Sequence, residues 1–294
     1  MKAALFLGCT IPARVRQYEI STRRVARELG IEFVDIPEFS CCGFPLKAAS
    51  FDTAMLLAAR NLSLVEEKGL TNICSICSAC TENLTEFSKE LNHDEELRNR
   101  VNEKLKPIGR SYKGTVTVKH IGRILKEDIG VEKIKGTVVK SLNNLKVTAH
   151  FGCHYVRPSA IYGKFDDPEL PTSLKDLIRA TGAEYVEHSN EMQCCGGGIL
   201  AVAEKVSIAM SKDKLDRMKK AGAEVICLIC PFCGVMYDAN QRSIEEQYQT
   251  EYKIPVLFYP QLLGLAMGIP SKELGLNLNV VKTKDLLERL GADA

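Results

Sequence analysis

The chain has 294 residues, of which 45% are hydrophobic and 26% charged, and a formal net charge of +2. These values are ordinary for a soluble globular protein, and the length suffices for one large domain or two small ones, each with a buried core. The nearly neutral charge excludes the broad basic surface that nucleic-acid binding requires.

The apolar segments are too short or too interrupted to cross a membrane. The best candidate, 254–270, contains Pro255, Pro260 and Gln261, which favours a buried strand followed by a helix. The N-terminus resembles a lipoprotein signal that ends at Cys9, but its apolar stretch has only five residues. We therefore expect a cytoplasmic protein with no membrane and no nucleic acid among its partners.

Twelve cysteines are unusual for a cytoplasmic chain. Disulfides are rare in a reducing compartment, so clustered cysteines indicate metal or redox chemistry. The cysteines form two groups of six: Cys9, Cys41, Cys42, Cys74, Cys77 and Cys80, then Cys153, Cys194, Cys195, Cys227, Cys230 and Cys233. Every cysteine from Cys41 to Cys80 recurs 153 residues later, and Cys9 recurs 144 residues later. The chain is therefore a tandem duplication with a nine-residue insertion, which we place in 162–171.

Both halves show the same predicted order of elements. Each starts with a short apolar run that ends at Gly-Cys, which is typical of a buried parallel strand. The predicted strands are 3–7, 32–36, 73–76, 116–118, 147–151, 184–187, 225–229 and 256–259. The predicted helices are 18–29, 52–68, 121–128, 173–181, 201–220 and 262–267, with a further helical excursion in 88–113.

This alternation of strands and helices predicts an α/β fold. We expect two pseudo-symmetric half-repeats, each with a small, mainly parallel sheet flanked by helices. The predicted domains are 1–145 and 146–294. Ligands collect at the carboxyl ends of the strands in such sheets, so the cysteines of each half should meet at one edge.

The number of thiols in each half bears on the metal. Zinc prefers four ligands in a closed tetrahedron, whereas each half offers six thiols, two of them adjacent in sequence. Such a set of soft ligands favours an iron–sulfur cluster, with zinc in one or both halves as an alternative. A cubane at Cys74-x-x-Cys77-x-x-Cys80 is a second alternative, but the cysteine and proline that complete the ferredoxin run do not follow Cys80.

Cys74 and Cys227 lie inside predicted strands, where cysteine serves as a small buried hydrophobe. We therefore predict five ligands in each half, while the choice of two members from each triplet stays open. The predicted metal ligands are Cys9, Cys41, Cys42, Cys77, Cys80, Cys153, Cys194, Cys195, Cys230 and Cys233.

With these positions the pattern resembles the cysteine-rich CCG domain in two copies. Both halves place 34 residues between the Cys-Cys pair and the final Cys-x-x-Cys. In addition, the stretches 4–14, 150–159 and 261–268 are similar to the B subunit of heterodisulfide reductase from methanogens. The resemblance covers nearly the whole chain and is weakest around 88–115, and the extra Cys74 and Cys227 depart from the family pattern.

The resemblance implies reduction of the coenzyme M–coenzyme B heterodisulfide to two thiols, in methanogenesis. It implies two noncubane 4Fe–4S clusters as cofactors, each bound by five cysteines. The implied partners are the ferredoxin-like C subunit and the flavoprotein A subunit of the same complex, with a hydrogenase or formate dehydrogenase upstream. This substrate is anionic, so we expect Arg14, His154 and Arg157, which follow the first cysteine of their halves, to bind it. The alternative is that the arginines are surface charges and His154 caps a loop.

The CCG domain alone does not determine the substrate, because it also occurs in subunits that oxidise succinate, glycolate or lactate. An electron-transfer subunit of a lactate- or glycolate-type dehydrogenase is therefore the alternative function, and a structural zinc protein is a third. Cleavage of a disulfide needs two electrons, and two similar sites suit a substrate with two sulfur atoms. A catalytic dithiol is disfavoured because no Cys-x-x-Cys at a helix start stands apart from the two cysteine sets.

Overall fold

The computed structural model describes residues 1–292 and contains two four-stranded sheets. The first sheet has the order β2-β1-β3-β4, formed by β1 Lys2–Phe6, β2 Glu32–Val34, β3 Asn72–Ser75 and β4 Thr117–His120. The second has the order β6-β5-β7-β8, formed by β5 Lys146–His150, β6 Glu184–Tyr185, β7 Val225–Leu228 and β8 Val256–Phe258. All pairings between the described strands are parallel. The predicted α/β fold of two pseudo-symmetric half-repeats is confirmed.

Helices flank both sheets. In the first half they are α1 Thr10–Arg14, α2 Arg16–Glu28, α3 Phe51–Glu67, α4 Ser78–His93, α5 Glu95–Leu105, α6 Ile121–Arg123 and α7 Val131–Gly136. In the second half they are α8 Ser159–Tyr162, α9 Ser173–Ala180, α10 Glu204–Lys220, α11 Pro231–Gly234, α12 Gln241–Tyr248, α13 Tyr259–Ala266 and α14 Lys284–Arg289. The π-helical turns Ile124–Ile129 and Val235–Ala239 continue α6 and α11.

Several helix boundaries differ from the predicted ones. Helix α4 begins directly after Cys77, inside the cysteine triplet, where no helix was predicted. Helix α13 begins at Tyr259 rather than at 262, because Pro260 is compatible with the first turn of a helix. Helix α10 begins at Glu204 rather than at 201, since a turn that follows the 3₁₀ segment Gly197–Ile199 occupies the start of the predicted range.

Each half packs a helix against the other half. Helix α13 of the second half packs against α2 of the first, and α6 with its π-helical extension packs against α9 of the second. A shared apolar core therefore joins the halves, and it includes Leu5 and Val25 as well as Val147 and Leu174. Because Ala4 and Phe6 on the other face of β1 belong to a separate core of the first half, β1 is buried on both faces.

The packing between the halves also brings their cysteine-bearing ends together. Helix α4, which follows the first triplet, packs against the turn Cys153–Tyr155 of the second half. In the same way, α11 packs against α1, which follows Cys9. Each triplet helix thus contacts the segment that follows the first cysteine of the other half. Within residues 1–292 no helix is both long enough and apolar enough to cross a membrane.

Candidate metal centre

A cavity of about 270 Å³ lies where the carboxyl ends of both sheets meet. Nine of the ten predicted ligands line it: Cys9, Cys42, Cys77, Cys80, Cys153, Cys194, Cys195, Cys230 and Cys233. The tenth, Cys41, lines an adjoining cavity that it shares with Cys9. All of these cysteines are free thiols. The structure therefore gathers the predicted ligands of both halves around one space.

Cys74 and Cys227 lie elsewhere. Both side chains are fully buried in the middle of β3 and β7, and neither lines the cavity. Cys74 pairs in register with Leu5, and Cys227 pairs with Ala149 and Leu257. Burial alone raises the pKa of both thiols above the ordinary value, which disfavours the thiolate that a metal needs. Their surroundings agree with the interpretation as small buried hydrophobes.

Each Cys-Cys-Gly turn requires its glycine. Gly43 has φ +98°, and a Cβ atom at this position would lie 2.6 Å from the carbonyl oxygen of Ala54. Gly196 has φ +84°, and a Cβ atom there would lie 2.8 Å from the carbonyl oxygen of Ser207. A residue with a side chain would push the turn away from the long helix behind it, and the cysteine pair would move with the turn.

Backbone N–H groups of these turns point at the sulfur atoms. The amide of Gly43 donates to Cys41 Sγ over 3.4 Å, and that of Phe44 donates to Cys42 Sγ over 3.5 Å. The second half repeats this arrangement, since Gly196 N lies 3.3 Å from Cys194 Sγ and Gly197 N lies 3.4 Å from Cys195 Sγ. Such donors stabilise thiolate sulfur, and they do so equally in the two halves.

Both halves contain a thiol in the Cys-Cys pair that is strongly acidified by its neighbours. A hydrogen bond from Cys41 is the largest cause that lowers the pKa of Cys42 to about 4. A hydrogen bond from Cys153 likewise lowers the pKa of Cys194 to about 2. Closely packed thiols share their protons in this way, so each set readily presents the anionic sulfur that binds metal ions.

The two sets meet at their triplets. The thiols of Cys77 and Cys230, from opposite halves, lie close enough to affect each other's pKa. Within the second half, Cys233 Sγ lies 3.5 Å from Cys195 Sγ. Soft thiol donors, more numerous than one ion needs and supported by backbone N–H groups, fit iron–sulfur ligation better than a single tetrahedral zinc ion.

A histidine that sequence reasoning missed also lies at the second set. The ligand atoms of His150, Cys195 and Cys233 are all within 4.8 Å of one another and buried. Nδ1 of His150 lies 3.5 Å from the hydroxyl of Tyr237, whereas its Nε2 has no partner within residues 1–292. Since His150 ends β5 as Phe6 ends β1, comparison of the two repeats would have revealed this difference.

Of the three predicted substrate residues, the structure brings one to the cavity. His154 lines the cavity wall, where its ring packs edge-on against Phe44 at 4.7 Å. Arg14 is exposed and is not part of the wall. Arg157 donates to the carbonyl of Pro168 over 2.9 Å and pairs with Glu169, also at 2.9 Å. Both arginines follow a cysteine closely in sequence, but their side chains do not line the cavity. Their role in substrate binding stays a prediction.

A buried acidic group beside the cavity was also missed. Glu82 follows the first triplet by two residues and is 3% exposed, and its carboxylate lies 3.9 Å from Nδ1 of His154. The ammonium of Lys47 lies 3.0 Å from Glu82 and also pairs with Glu86. Burial is the largest cause that raises the pKa of Glu82, to about 7. The Glu82 position, in the first turns of α4, could not be recognised before that helix was known.

Comparisons with known proteins agree with this site. The model of the cysteine-rich CCG domain matches residues 3–85 and 147–238. The B subunit of a ferredoxin/F420H2-dependent CoB–CoM heterodisulfide reductase from Methanosarcina acetivorans is 38% identical, over 98% of this chain and 97% of that protein. The membrane anchor subunit of 8-methylmenaquinol:fumarate reductase from Wolinella succinogenes is 34% identical, over 96% of this chain and 98% of that protein.

A solved structure shares the fold. A hypothetical protein from Helicobacter pylori superposes with a TM-score of 0.77 and 17% identity, and the match covers 96% of this chain and 52% of that chain. At this identity the likeness concerns the fold alone. Two copies of the domain and close relatives over nearly the full length lead to one conclusion: the chain belongs to the duplicated CCG cysteine-rich family, among the relatives of the heterodisulfide reductase B subunit.

Proposed function

We propose that this chain is the disulfide-reducing subunit of a heterodisulfide reductase complex. It binds two noncubane 4Fe–4S clusters through the ten cysteines predicted as ligands, five from each half. The observation that carries the proposal is the single cavity onto which cysteines of both halves open. Two cysteine sets around one space suit a substrate whose two sulfur atoms become two thiols.

The reaction defines what the protein must supply. Reduction of R–S–S–R′ takes up two electrons and two protons and yields RSH and R′SH. When bound, the clusters supply the electrons. The side chains of Leu7, Phe44 and Phe232 line the cavity, exclude water and hold the disulfide between the two sets. His154 lies in the same wall and orients the substrate through its ring N–H.

The proposed substrate is the mixed disulfide of coenzyme M and coenzyme B. This choice rests on the heterodisulfide reductase relatives that are 37–38% identical over nearly the whole chain. The substrate is anionic, so we retain Arg14 and Arg157 as binding residues outside the cavity wall. The flavoprotein and ferredoxin-like subunits of the same complex are the proposed electron donors, with a hydrogenase or formate dehydrogenase upstream.

A second function is favoured by one observation. The relative from Wolinella succinogenes belongs to a fumarate reductase and not to a disulfide reductase, although it is 34% identical to this chain. A CCG-domain electron-transfer subunit is therefore the alternative. Such a subunit would bind clusters but would not cleave a disulfide, so the cavity would bind no heterodisulfide.

The experiment is an anaerobic assay of the purified chain with a reduced viologen dye as electron donor. We expect oxidation of two dye equivalents for each coenzyme M–coenzyme B disulfide, with both thiols formed. The homodisulfides of the two coenzymes are the matched controls, and we expect slower turnover with them. Full cluster content without heterodisulfide cleavage would favour the electron-transfer alternative, whereas a colourless protein with stoichiometric zinc would contradict both functions.

A further inference from the structure

Asn61 and Lys214 occupy equivalent positions in the two halves. They are 153 residues apart, the offset that relates the cysteine pairs, and lie in the long helices α3 and α10. Both side chains are fully buried, at 0% exposure. Each helix packs behind the Cys-Cys-Gly turn of its own half, so both side chains point at the backbone that leads into the cysteine pair. The two halves thus share a buried polar side chain at this position, but the side chain is neutral in the first half and charged in the second.

In the first half this contact is neutral. The side-chain oxygen of Asn61 accepts a hydrogen bond from the amide of Ser40 over 2.9 Å, and its NH₂ group donates to the carbonyl of Cys41 over 3.0 Å. These bonds hold the chain directly before the cysteine pair. A primary amide provides both a donor and an acceptor for this purpose and adds no net charge to the site.

In the second half the same place holds an ammonium group. Nζ of Lys214 donates to the carbonyls of Glu191, Gln193 and Asn190 over 2.5, 3.0 and 3.3 Å. Three carbonyls use all three donors of the ammonium, which holds the loop before Cys194 as Asn61 holds its counterpart.

The ammonium lacks a carboxylate partner among residues 1–292. The carboxylate of Glu191 pairs instead with Lys175 at 2.7 Å. A buried charge is costly unless an opposite charge compensates for it. Burial is accordingly the largest influence on Lys214 and lowers its pKa to about 8, while the Cys233 and Cys195 thiols act in the opposite direction. The thiolates of the second cysteine set supply the negative charge that compensates for the ammonium of Lys214.

We propose that Lys214 sets the reduction potential of the second cluster above that of the first. This inference rests on the proposed function, since it requires a cluster in each half. A positive charge in a medium of low dielectric constant favours the extra electron of a reduced cluster. The N–H···S bonds of the two Cys-Cys-Gly turns are matched, so they contribute no comparable difference. Electrons that enter the chain therefore collect in the second half.

His150 is a further polar difference, at the second site itself. It faces Cys195 and Cys233, where the first half has Phe6. Burial lowers the pKa of His150 well below its ordinary value, so the ring is neutral and adds a dipole rather than a charge. The charge of Lys214 produces the larger electric field at the second cysteine set. Substitution of Lys214 alone separates its contribution from that of His150.

The test is a potentiometric titration of the anaerobic holoprotein, monitored by electron paramagnetic resonance. Lys214→Gln removes the charge but keeps hydrogen-bond donors, and Lys214→Arg restores the charge. Lys220→Gln, at an exposed position of the same helix, is the matched control for loss of one charge. In Lys214→Gln we expect the reduced-to-oxidised ratio of the second cluster, at fixed ambient potential, to fall about tenfold. That is a shift of about 59 mV for one electron. The first cluster of Lys214→Gln should keep its potential. Both clusters of Lys214→Arg and of Lys220→Gln should also keep theirs.

Equal potentials in Lys214→Gln and the parent protein, or equal shifts of both clusters, would overturn the inference. If Lys214→Gln loses the second cluster, the order of the two cluster potentials in the unsubstituted protein tests the inference instead. The signal that is absent from Cys194→Ser must then be the one with the higher potential, and the reverse order overturns the inference. A protein that binds no clusters contradicts the proposed function instead, whereas two clusters of equal potential contradict only the role of Lys214.

Discussion

The hydroxyl of Tyr18, in the first half, donates a 3.0 Å hydrogen bond to the carbonyl of Ile229, in the second. Ile229 directly precedes Cys230. The same carbonyl also accepts a 2.9 Å hydrogen bond from Nε2 of His120, whose Nδ1 accepts from Gly122 N and so leaves the proton on Nε2. Two first-half side chains therefore position a cysteine of the second site.

Tyr18→Phe should lower the stability of the chain, because it removes a hydrogen bond between the two halves. The ring stacks on Phe258 with centroids 4.1 Å apart, and this packing is retained in the variant. Loss of the hydroxyl should cost about 1 kcal/mol of unfolding free energy, because His120 still bonds the Ile229 carbonyl. Urea unfolding measures this cost, and Tyr248→Phe, at an exposed ring, is the control that should change nothing. An unaltered midpoint in Tyr18→Phe would mean that the inter-half bond contributes no stability.

The purified chain should contain about eight iron atoms and carry a brown chromophore, from two four-iron clusters. The reason is the presence of two five-thiol sets with N–H donors to sulfur in each. Anaerobic iron and acid-labile sulfide assays provide the measurement, and chelation of iron should bleach the visible absorbance and lower the melting temperature. Stoichiometric zinc in a colourless preparation would exclude the clusters.

The two strand cysteines should be dispensable for metal binding. Cys74→Ala and Cys227→Ala should retain both clusters and lose about 1 kcal/mol of stability through the small cavities they create. Cys77→Ala and Cys230→Ala, at cavity-lining positions of the same triplets, should each lose one cluster. Visible absorbance and iron content distinguish the variants. Loss of a cluster in Cys74→Ala would show that the ligands of the triplet were assigned wrongly.

Disulfide cleavage should require both halves. Cys41→Ser and Cys194→Ser each damage one set, and we expect both variants to lose viologen-dependent heterodisulfide cleavage by at least tenfold, which is an increase of about 1.4 kcal/mol in the barrier. The reason is that each nascent sulfur needs its own cysteine set beside it. In a relay, where the first set only passes electrons on, Cys41→Ser supplied directly with a strong reductant would stay active. Near-normal turnover in either variant, with its damaged cluster absent, would end the two-site mechanism.

The contribution of Asp238 to stability should fall as the pH rises through 6, whereas the buried His120 and His150, whose pKa values are lowered by burial, act in the opposite direction. Burial raises the pKa of this carboxyl from an ordinary 3.8 to about 6, against the opposing N–H groups of Val280 and Val281 and the charge of Lys282. The folded state therefore binds more protons than the unfolded chain between these values. The contribution is complete below pH 4 and lost above 6, and it is on the order of 3 kcal/mol.

About 1 kcal/mol of this contribution should disappear between pH 5 and 7.5, a range in which urea unfolding can be measured anaerobically. Asp238→Asn should lack this contribution, so its unfolding free energy relative to the parent protein should change across that range, although the variant loses one acceptor for the two N–H groups. Parallel pH profiles of the variant and the parent protein would assign the slope to another group.

The duplication, the two cysteine sets and the parallel α/β architecture could be predicted from the sequence. Repeats and spacings are properties of the covalent chain, and a buried strand shows itself by a local apolar run. The strand-interior position of Cys74 followed from the same local pattern. Helix α4 was missed because its start lies within the triplet, where the cysteines concealed the helical pattern.

Only the tertiary structure decided which residues face each other across the halves. The packing of α13 against α2, the bond from Tyr18 to Ile229 and the meeting of Cys77 with Cys230 join residues more than 100 positions apart. Such contacts depend on the packing of whole elements, which no local pattern encodes. For the same reason, no local pattern distinguishes Lys214 from the other lysines of α10, and only the packing of that helix against the turn shows its complete burial behind the cysteine pair.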